Sequence, residues 1–319
     1  MPDRSSPRLI TIGETMALIT PSRVEPLATA TDVRLLIGGA ESNVATHAAL
    51  LGVPSAWVSA VGDDALGVRV RDGVAQHGVD VQWVSSDPAA RTGVYFKDPG
   101  NGVLYYRQDS AASRMSPESI ADVPLEQASA VHISGITPAL STSCAALIDS
   151  IIDRVAPGPG ILSFDVNHRA ALWASGEAAP ALLNLARRAD LVFVGLDEAE
   201  GLWGTADADA VRALIPQPAR IVVKDGDVGA TEFHRSGAGG DTDLHTDADV
   251  RTFAPAIRTE VVEAVGAGDA FAAGYLAALL DGATAAERLV AGHRRAHLVL
   301  QSTSDLIPDD HGDLLPDDH

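Results

Sequence analysis

The stretch Val265-Gly266-Ala267-Gly268-Asp269-Ala270-Phe271-Ala272-Ala273-Gly274-Tyr275 carries more information than any other in this chain. Three small residues lead into an apolar run with helical spacing, and an aspartate falls in the first turn. Glycine at 266 and 268 lets the backbone approach a ligand with no Cβ in the way. Such a helix start offers N–H groups without helical acceptors and the positive end of a dipole, which together suit an anion. Asp269 then has two readings. It is an N-terminal capping carboxylate, or a base beside a phosphate that takes a hydroxyl proton as that oxygen attacks phosphorus.

Upstream of this helix, short apolar runs alternate with amphipathic stretches. Residues 8–12, 55–61, 130–134, 161–165, 191–194 and 221–224 read as strands, β-branched and apolar on successive positions, as in strands buried on both faces. Residues 42–51, 66–76, 143–156 and 180–188 read as helices. The alternation predicts an α/β fold with a doubly wound, mainly parallel sheet and helices on both faces. Ligands in such sheets bind beyond the strand C-termini.

Two regions break the alternation. Residues 16–20 with 33–37, and 93–97 with 103–107, read as strands without intervening helices, and Asp98-Pro99-Gly100-Asn101-Gly102 is a hairpin signal. They predict a small antiparallel β lid able to close over a cleft. The expected organisation is one domain over 1–304, with lid strands at about 14–37 and 91–109 inserted in the α/β core. Residues 305–319 form an acidic, proline-broken near-repeat, expected to be a disordered tail.

Composition narrows the function. With 319 residues, 46% of them hydrophobic, the chain can bury a large α/β core. No apolar run approaches the roughly 20 residues that span a bilayer, and the polar first eight residues do not read as a leader. Cys144 is the only cysteine, which rules out disulfides within the chain and thiolate metal clusters. A cytoplasmic setting is expected. The net charge of −20 argues against nucleic acid and anionic membrane as partners. Lys97 and Lys224 are the only lysines, so the placement of each cation is informative.

Gly38-Gly39-Ala40-Glu41-Ser42-Asn43 runs from a strand through a double glycine into a helix. This is a tight turn with Ser42 or Glu41 at the helix start, or a sugar site where Gly38 and Gly39 amides meet hydroxyls and Asn43 adds a bidentate contact. Asp165-Val166-Asn167-His168-Arg169 closes a strand, and alternation would aim Asp165, Asn167 and Arg169 the same way. Tyr105-Tyr106-Arg107 lies in the lid hairpin. Arg107 and Arg169 thus flank one candidate cleft, where guanidinium matches carboxylate or phosphate; the alternative for each is an ordinary ion pair.

Asp197, Glu198 and Glu200 sit at a strand-to-helix junction, either near Mg²⁺ or as complements to the helix dipole. Lys224, Gly226 and Gly229 end the next strand in a glycine turn, a candidate wall for a nucleotide. A Gly-x-x-x-x-Gly-Lys-Ser/Thr loop is missing, as is a Gly-x-Gly-x-x-Gly after the first strand, so P-loop and dinucleotide readings lose their main support.

Over residues 8–302 the order of these segments resembles the ribokinase-like (PfkB) carbohydrate kinases, most specifically at Gly266-Ala267-Gly268-Asp269. Within that family the chain is most similar to 2-keto-3-deoxygluconate kinases. The finer likeness lies in Gly38 to Asn43, in Tyr105-Tyr106-Arg107 followed by Ser110-Ala111-Ala112-Ser113, and in Asp165 to Arg169 with Leu172-Trp173.

The resemblance implies ATP and Mg²⁺, with K⁺ an open question as monovalent activator, and homodimers built through lid strands. It makes Asp269 the catalytic base and Gly266, Ala267 and Gly268 the anion hole. Glu198 falls on the glutamate that organises Mg²⁺. Arg107 and Arg169 receive a sugar acid, helped by Gly39, Tyr95 and Tyr105. The implied reaction converts 2-keto-3-deoxygluconate, at its terminal hydroxyl, to 2-keto-3-deoxy-6-phosphogluconate. The alternatives are a fructokinase, ribokinase or dehydro-deoxygluconokinase of the same fold, or a non-catalytic nucleotide or sugar sensor. Two departures stand out. Gly195 replaces an asparagine of the family pattern, and Glu263-Ala264-Val265 replaces Asp-Thr-Thr or Asp-Pro-Val, so Glu263 must reach further than an aspartate.

Overall fold

The apolar runs 9–12, 130–134, 161–165 and 191–195 are buried at every position but one, the state of strands covered on both faces. The structure, a computed structural model, describes residues 7–235 and 249–302. The expected tail at 305–319 lies outside the described residues.

In chain order the strands are β1 (Leu9–Ile12), β2 (Met16–Pro21), β3 (Val33–Gly38), β4 (Ser55–Gly62), β5 (Val84–Asp87), β6 (Val94–Asp98) and β7 (Gly102–Tyr106). They continue with β8 (Ala130–Ser134), β9 (Ile161–Asp165), β10 (Leu191–Gly195), β11 (Arg220–Asp225), β12 (Gly229–Arg235) and β13 (Asp249–Pro255). The α-helices are α1 (Ala40–Leu50), α2 (Ala65–Ala75), α3 (Thr142–Val155), α4 (Ala178–Arg188), α5 (Leu196–Trp203), α6 (Ala208–Leu214), α7 (Ala267–Leu280) and α8 (Ala285–Leu300).

Nine strands form one sheet in the order β13-β12-β11-β10-β9-β8-β1-β4-β5. Pairing is parallel from β11 to β5 and antiparallel at β12 and β13. On one face, Leu147 and Ile151 of α3, Leu182 of α4, Ala199 of α5 and Val211 of α6 join the core. On the other, Val44 of α1, Phe271 and Leu276 of α7 and Leu289 of α8 pack against Leu9, Leu191 and Phe193. Helices on both faces are the doubly wound arrangement expected from the alternation.

Helix α7 is buried continuously from Ala270 to Ala277. It meets α8 at backbone contact, since a Cβ on Gly274 would lie 2.5 Å from the Ala291 carbonyl. Side-chain caps fix the starts of α2 (Asp64), α3 (Ser141), α6 (Asp207) and α8 (Thr284).

The remaining strands make a separate sheet, β3-β2-β6-β7. Both hairpins are antiparallel, as expected, but β2 pairs with β6 in parallel. The reason is topological. β2 follows β1 and β6 follows β5, so both leave from the same end of the parallel sheet and run in the same direction. Met16, Leu18 and Tyr95, with Leu36 and Val103, give this sheet its own small core.

Candidate active site

The lid sheet, the C-terminal ends of the parallel strands and the start of α7 enclose a cleft of about 480 Å³. Three groups of residues build it.

The first surrounds the start of α7. Gly266 has φ of 84°, a left-handed conformation that glycine adopts without strain. The first-turn N–H groups that follow have no acceptor within the helix. Gly268 faces Lys224, whose Nζ would lie 3.5 Å from a Cβ there. Asp269 Oδ2 accepts a hydrogen bond from Asn43 Nδ2 at 2.9 Å. Asn43 is carried by α1, whose N-cap, Gly39, leaves no room for a side chain: a Cβ would lie 2.4 Å from both the Glu14 carbonyl and Thr15 Oγ1. Gly266, Gly268, Asp269, Gly38, Gly39 and Asn43 all line the cleft, and Ala267 lies in the turn between two of them.

The second group comes from the lid. Tyr95 stacks on Tyr105 with ring centroids 5.7 Å apart, and the Arg107 guanidinium lies 5.6 Å from the Tyr105 ring centre. Arg107 is buried in an ion pair with Glu14, which also accepts from Ser110 Oγ at 2.6 Å. The guanidinium expected to await a substrate carboxylate is therefore already neutralised by a carboxylate of the protein. Glu14 was not foreseen, although it follows the first strand, where ligand contacts in such sheets gather. Lys97, also on the lid, lines the cleft and reaches Glu263, with Nζ 2.6 Å from Oε1.

The third group lies on the strand ends. Asp165, Asn167 and Arg169 all line the cleft, but not through continued strand alternation. The strand stops at Asp165, and Asn167 turns the chain with a left-handed φ of 39°. Arg169 is exposed, donates Nη1 to the His168 carbonyl at 3.1 Å, and forms no ion pair among the described residues. Glu198 ties two strand ends together: Oε1 accepts from His168 N at 2.8 Å and Oε2 from Gly195 N at 2.9 Å. Gly195, the departure from asparagine, sits where a Cβ would lie 2.5 Å from Asp197 Oδ1.

Lys224 Nζ is 3.1 Å from Asp165 Oδ2. Burial alone would pull its pKa down, but the carboxylates of Asp165, Glu198 and Asp269 outweigh that and raise it, so the ammonium stays charged. Gly226 and Gly229 do not line the cleft. They form the turn between β11 and β12, Gly226 with φ of 49° and Gly229 packed against the Ala254 carbonyl.

The site accommodates a phosphate with a divalent cation. Asp165 Oδ1 is buried without a hydrogen-bond partner, and Glu198 and Lys224 line the same cleft. Among the described residues no three His, Cys, Asp or Glu side chains converge to hold a metal ion by themselves, which suits Mg²⁺ held by one or two carboxylates and phosphate oxygens.

Residues 6–311 match the model of the pfkB family carbohydrate kinases. The chain belongs to that family. This carbohydrate kinase is 32% identical over 309 residues to a 2-dehydro-3-deoxygalactonokinase of Haloferax volcanii, covering 93% of this chain and 92% of that one. It is 31% identical over 308 residues to a 2-dehydro-3-deoxygluconokinase of Bacillus subtilis, covering 93% and 90%. Among solved structures, the PfkB protein of Polaromonas sp. JS666 aligns with a TM-score of 0.83 at 31% identity, covering 94% of the kinase and 97% of that chain. An Escherichia coli ribokinase II candidate, solved in complex with ATP and Mg²⁺, aligns with a TM-score of 0.83 at 22% identity, covering 94% of each chain. The fold and the phosphotransferase class expected from the sequence both hold. Among the described residues no helix is long and apolar enough to cross a membrane.

Proposed function

We propose that the kinase transfers the γ-phosphoryl of ATP to the terminal hydroxyl of 2-keto-3-deoxygluconate, giving 2-keto-3-deoxy-6-phosphogluconate. The observation that carries this reading is Arg169, an exposed guanidinium on the cleft wall with no ion pair among the described residues. It offers a carboxylate two parallel N–H donors. A neutral sugar gains little from it. The relatives named for 2-keto-3-deoxy sugar acids support the same substrate class.

The chemistry follows from the cleft. Asp269, held by Asn43, accepts the hydroxyl proton as the oxygen bonds to phosphorus. The first-turn N–H groups at Gly266, Ala267 and Gly268, with the Lys224 ammonium, take up charge developing on the transferred phosphoryl. Tyr95 and Tyr105 pack over the sugar, and the lid excludes competing water. Glu198 and Asp165 would hold Mg²⁺. When bound, the ion would supply positive charge that offsets the charge of the phosphates.

Residues 1–304 are read as one kinase domain, cytoplasmic and homodimeric through the lid. Val33, Leu104 and Tyr106 are exposed on that sheet, consistent with such a contact. Replacing K⁺ by Na⁺ in the assay tests the monovalent-ion question.

The deciding experiment is an ADP-coupled screen of 2-keto-3-deoxygluconate, 2-keto-3-deoxygalactonate, fructose, ribose and gluconate. The highest kcat/KM is expected for 2-keto-3-deoxygluconate. A higher value for fructose or ribose overturns the sugar-acid assignment, and a higher one for 2-keto-3-deoxygalactonate reassigns the acid.

A further inference from the structure

Lysine occurs twice in this chain, and both lysines line the cleft. Lys224 comes from the core sheet beside Gly268, and Lys97 from lid strand β6. Lys97 does not stay within the lid. Its Nζ lies 2.6 Å from Glu263 Oε1, with side chains only 10% and 25% exposed.

Glu263 is held from behind, because Val262 N and Glu263 N both donate to the Leu300 carbonyl at the end of α8, at 2.8 and 3.4 Å. In front of it, Ala264, Val265 and Gly266 line the cleft, and Ala267 N turns back to the Ala264 carbonyl at 3.4 Å. The Lys97–Glu263 pair thus fastens the lid to the segment that shapes the start of α7. Another lid-to-core ion pair, Arg107–Glu14, sits where β2 and β7 join the core.

Given the cleft as the catalytic centre, we propose that Lys97 is a positioning residue whose ion pair with Glu263 latches the lid onto the phosphate-binding turn. The turn then takes its working shape when the lid is down and water is shut out. The residue types suit this task. Lysine is a point charge on a flexible four-carbon stem and keeps contact through small lid movements, where the rigid arginine fork would not. Glutamate supplies one methylene more reach than aspartate. A partly buried, charge-assisted pair shifts a two-state lid by about tenfold.

An unlatched lid has a chemical signature. Water replaces the sugar hydroxyl: its oxygen bonds to the γ-phosphorus, the bond from phosphorus to the ADP oxygen breaks, and its proton passes to Asp269 and on to solvent. The products are ADP and inorganic phosphate, with no sugar phosphate.

The test uses the full chain and three variants: Lys97→Met, Glu263→Gln, and the charge swap Lys97→Glu with Glu263→Lys. Three quantities are measured: hydrogen exchange of the amides at 94–106 in the free protein, ATP hydrolysis without sugar, and the ratio of ADP to sugar phosphate. Each single variant should lift the ADP-to-sugar-phosphate ratio above the one-to-one of coupled transfer, and speed both lid exchange and sugar-free ATP hydrolysis by about tenfold. The swap should bring both back to within about threefold of the parent. Unchanged lid exchange in both single variants, or a swap no better than either, overturns the latch. If the sugar screen finds no acid substrate, the substrate assignment fails, while lid exchange and sugar-free hydrolysis still report on the latch.

Discussion

Asn43 donates to Asp269 at 2.9 Å and so joins the first turns of α1 and α7, two of the helices that open onto the cleft. One carboxylate oxygen is thereby oriented by the glycine-led segment on the sugar side. Asp269→Asn should keep ATP binding and lose phosphorylation by at least about a hundredfold. Asn43→Ala removes only the orienting donor and should lower kcat by about tenfold. Steady-state rates with ATP binding measured separately check both. Near-normal turnover in folded Asp269→Asn would make that residue a helix cap.

The two cleft arginines should behave differently. Arg169→Ala should cost roughly one to two decades in kcat/KM for the sugar acid, from the loss of a charged hydrogen bond, and little for fructose. Arg107→Ala leaves Glu14 buried and without its cation, so it should lower thermal stability and activity on every sugar. Melting curves beside kcat/KM on both sugars separate the cases. Equal losses on acid and fructose for Arg169→Ala would remove it from substrate recognition.

Glu198 uses both oxygens to hold backbone N–H groups, so Glu198→Gln sets an amide NH₂ against one of those donors. The Mg²⁺ concentration for half-maximal rate should rise. Sugar KM should rise too, because His168 stands between the cleft residues Asn167 and Arg169. An unchanged Mg²⁺ titration moves the metal contact to Asp165.

Glu41 supplies a pH signature. Burial drives its pKa from 4.5 up to about 7, against hydrogen bonds from Ser134 and Thr137 and the Arg107 charge. Between those values the folded protein keeps a proton that the unfolded chain has lost, so this residue makes stability fall as pH rises. His132 works the other way. Its burial lowers the pKa from 6.5 to about 4, and stability rises with pH over that window. Glu41→Gln should therefore gain stability relative to the parent between about pH 4 and about pH 8, by on the order of 3 kcal/mol. Parallel pH–denaturation curves for parent and variant would refute this.

Behind α7, Glu232 is fully buried and pairs with Arg288, which also donates to Tyr275 at 3.2 Å. Glu232→Ala strands a guanidinium inside the protein and should cost about 3–5 kcal/mol in urea denaturation. A cost below about 1 kcal/mol, the range of exposed pairs, would mean that water reaches the pair.

The parallel core was legible because strands covered on both faces leave unbroken apolar runs, as at 191–195. The lid was legible from its glycine-rich turn. β13 was not, since it is mostly exposed and its partner lies across a long connection. β5, at Val84–Asp87, is too short and polar to show a period. In the cleft, the glycines, Asp269 and Asn43 announced themselves by local spacing. Glu14 with Arg107, and Lys97 with Glu263, did not, because an ion pair between distant segments leaves no periodicity in the chain. Asn167 reached the cleft through a left-handed turn that no propensity for asparagine alone would have required.

The lid sheet has its own apolar nucleus, while Asp269 stands on a helix packed into the parallel core. In the proposed reading, acceptor choice is thus shared between the lid and the core strand end that carries Arg169. Apart from Lys97, which reaches Glu263, substitutions at 16–38 and 94–106 fall on a sheet with a core separate from that of the buried helix bearing Asp269. A graft of these two segments from a neutral-sugar relative would therefore exchange the lid while leaving Arg169 in place, so a redesign of acceptor choice has to carry residue 169 along with them.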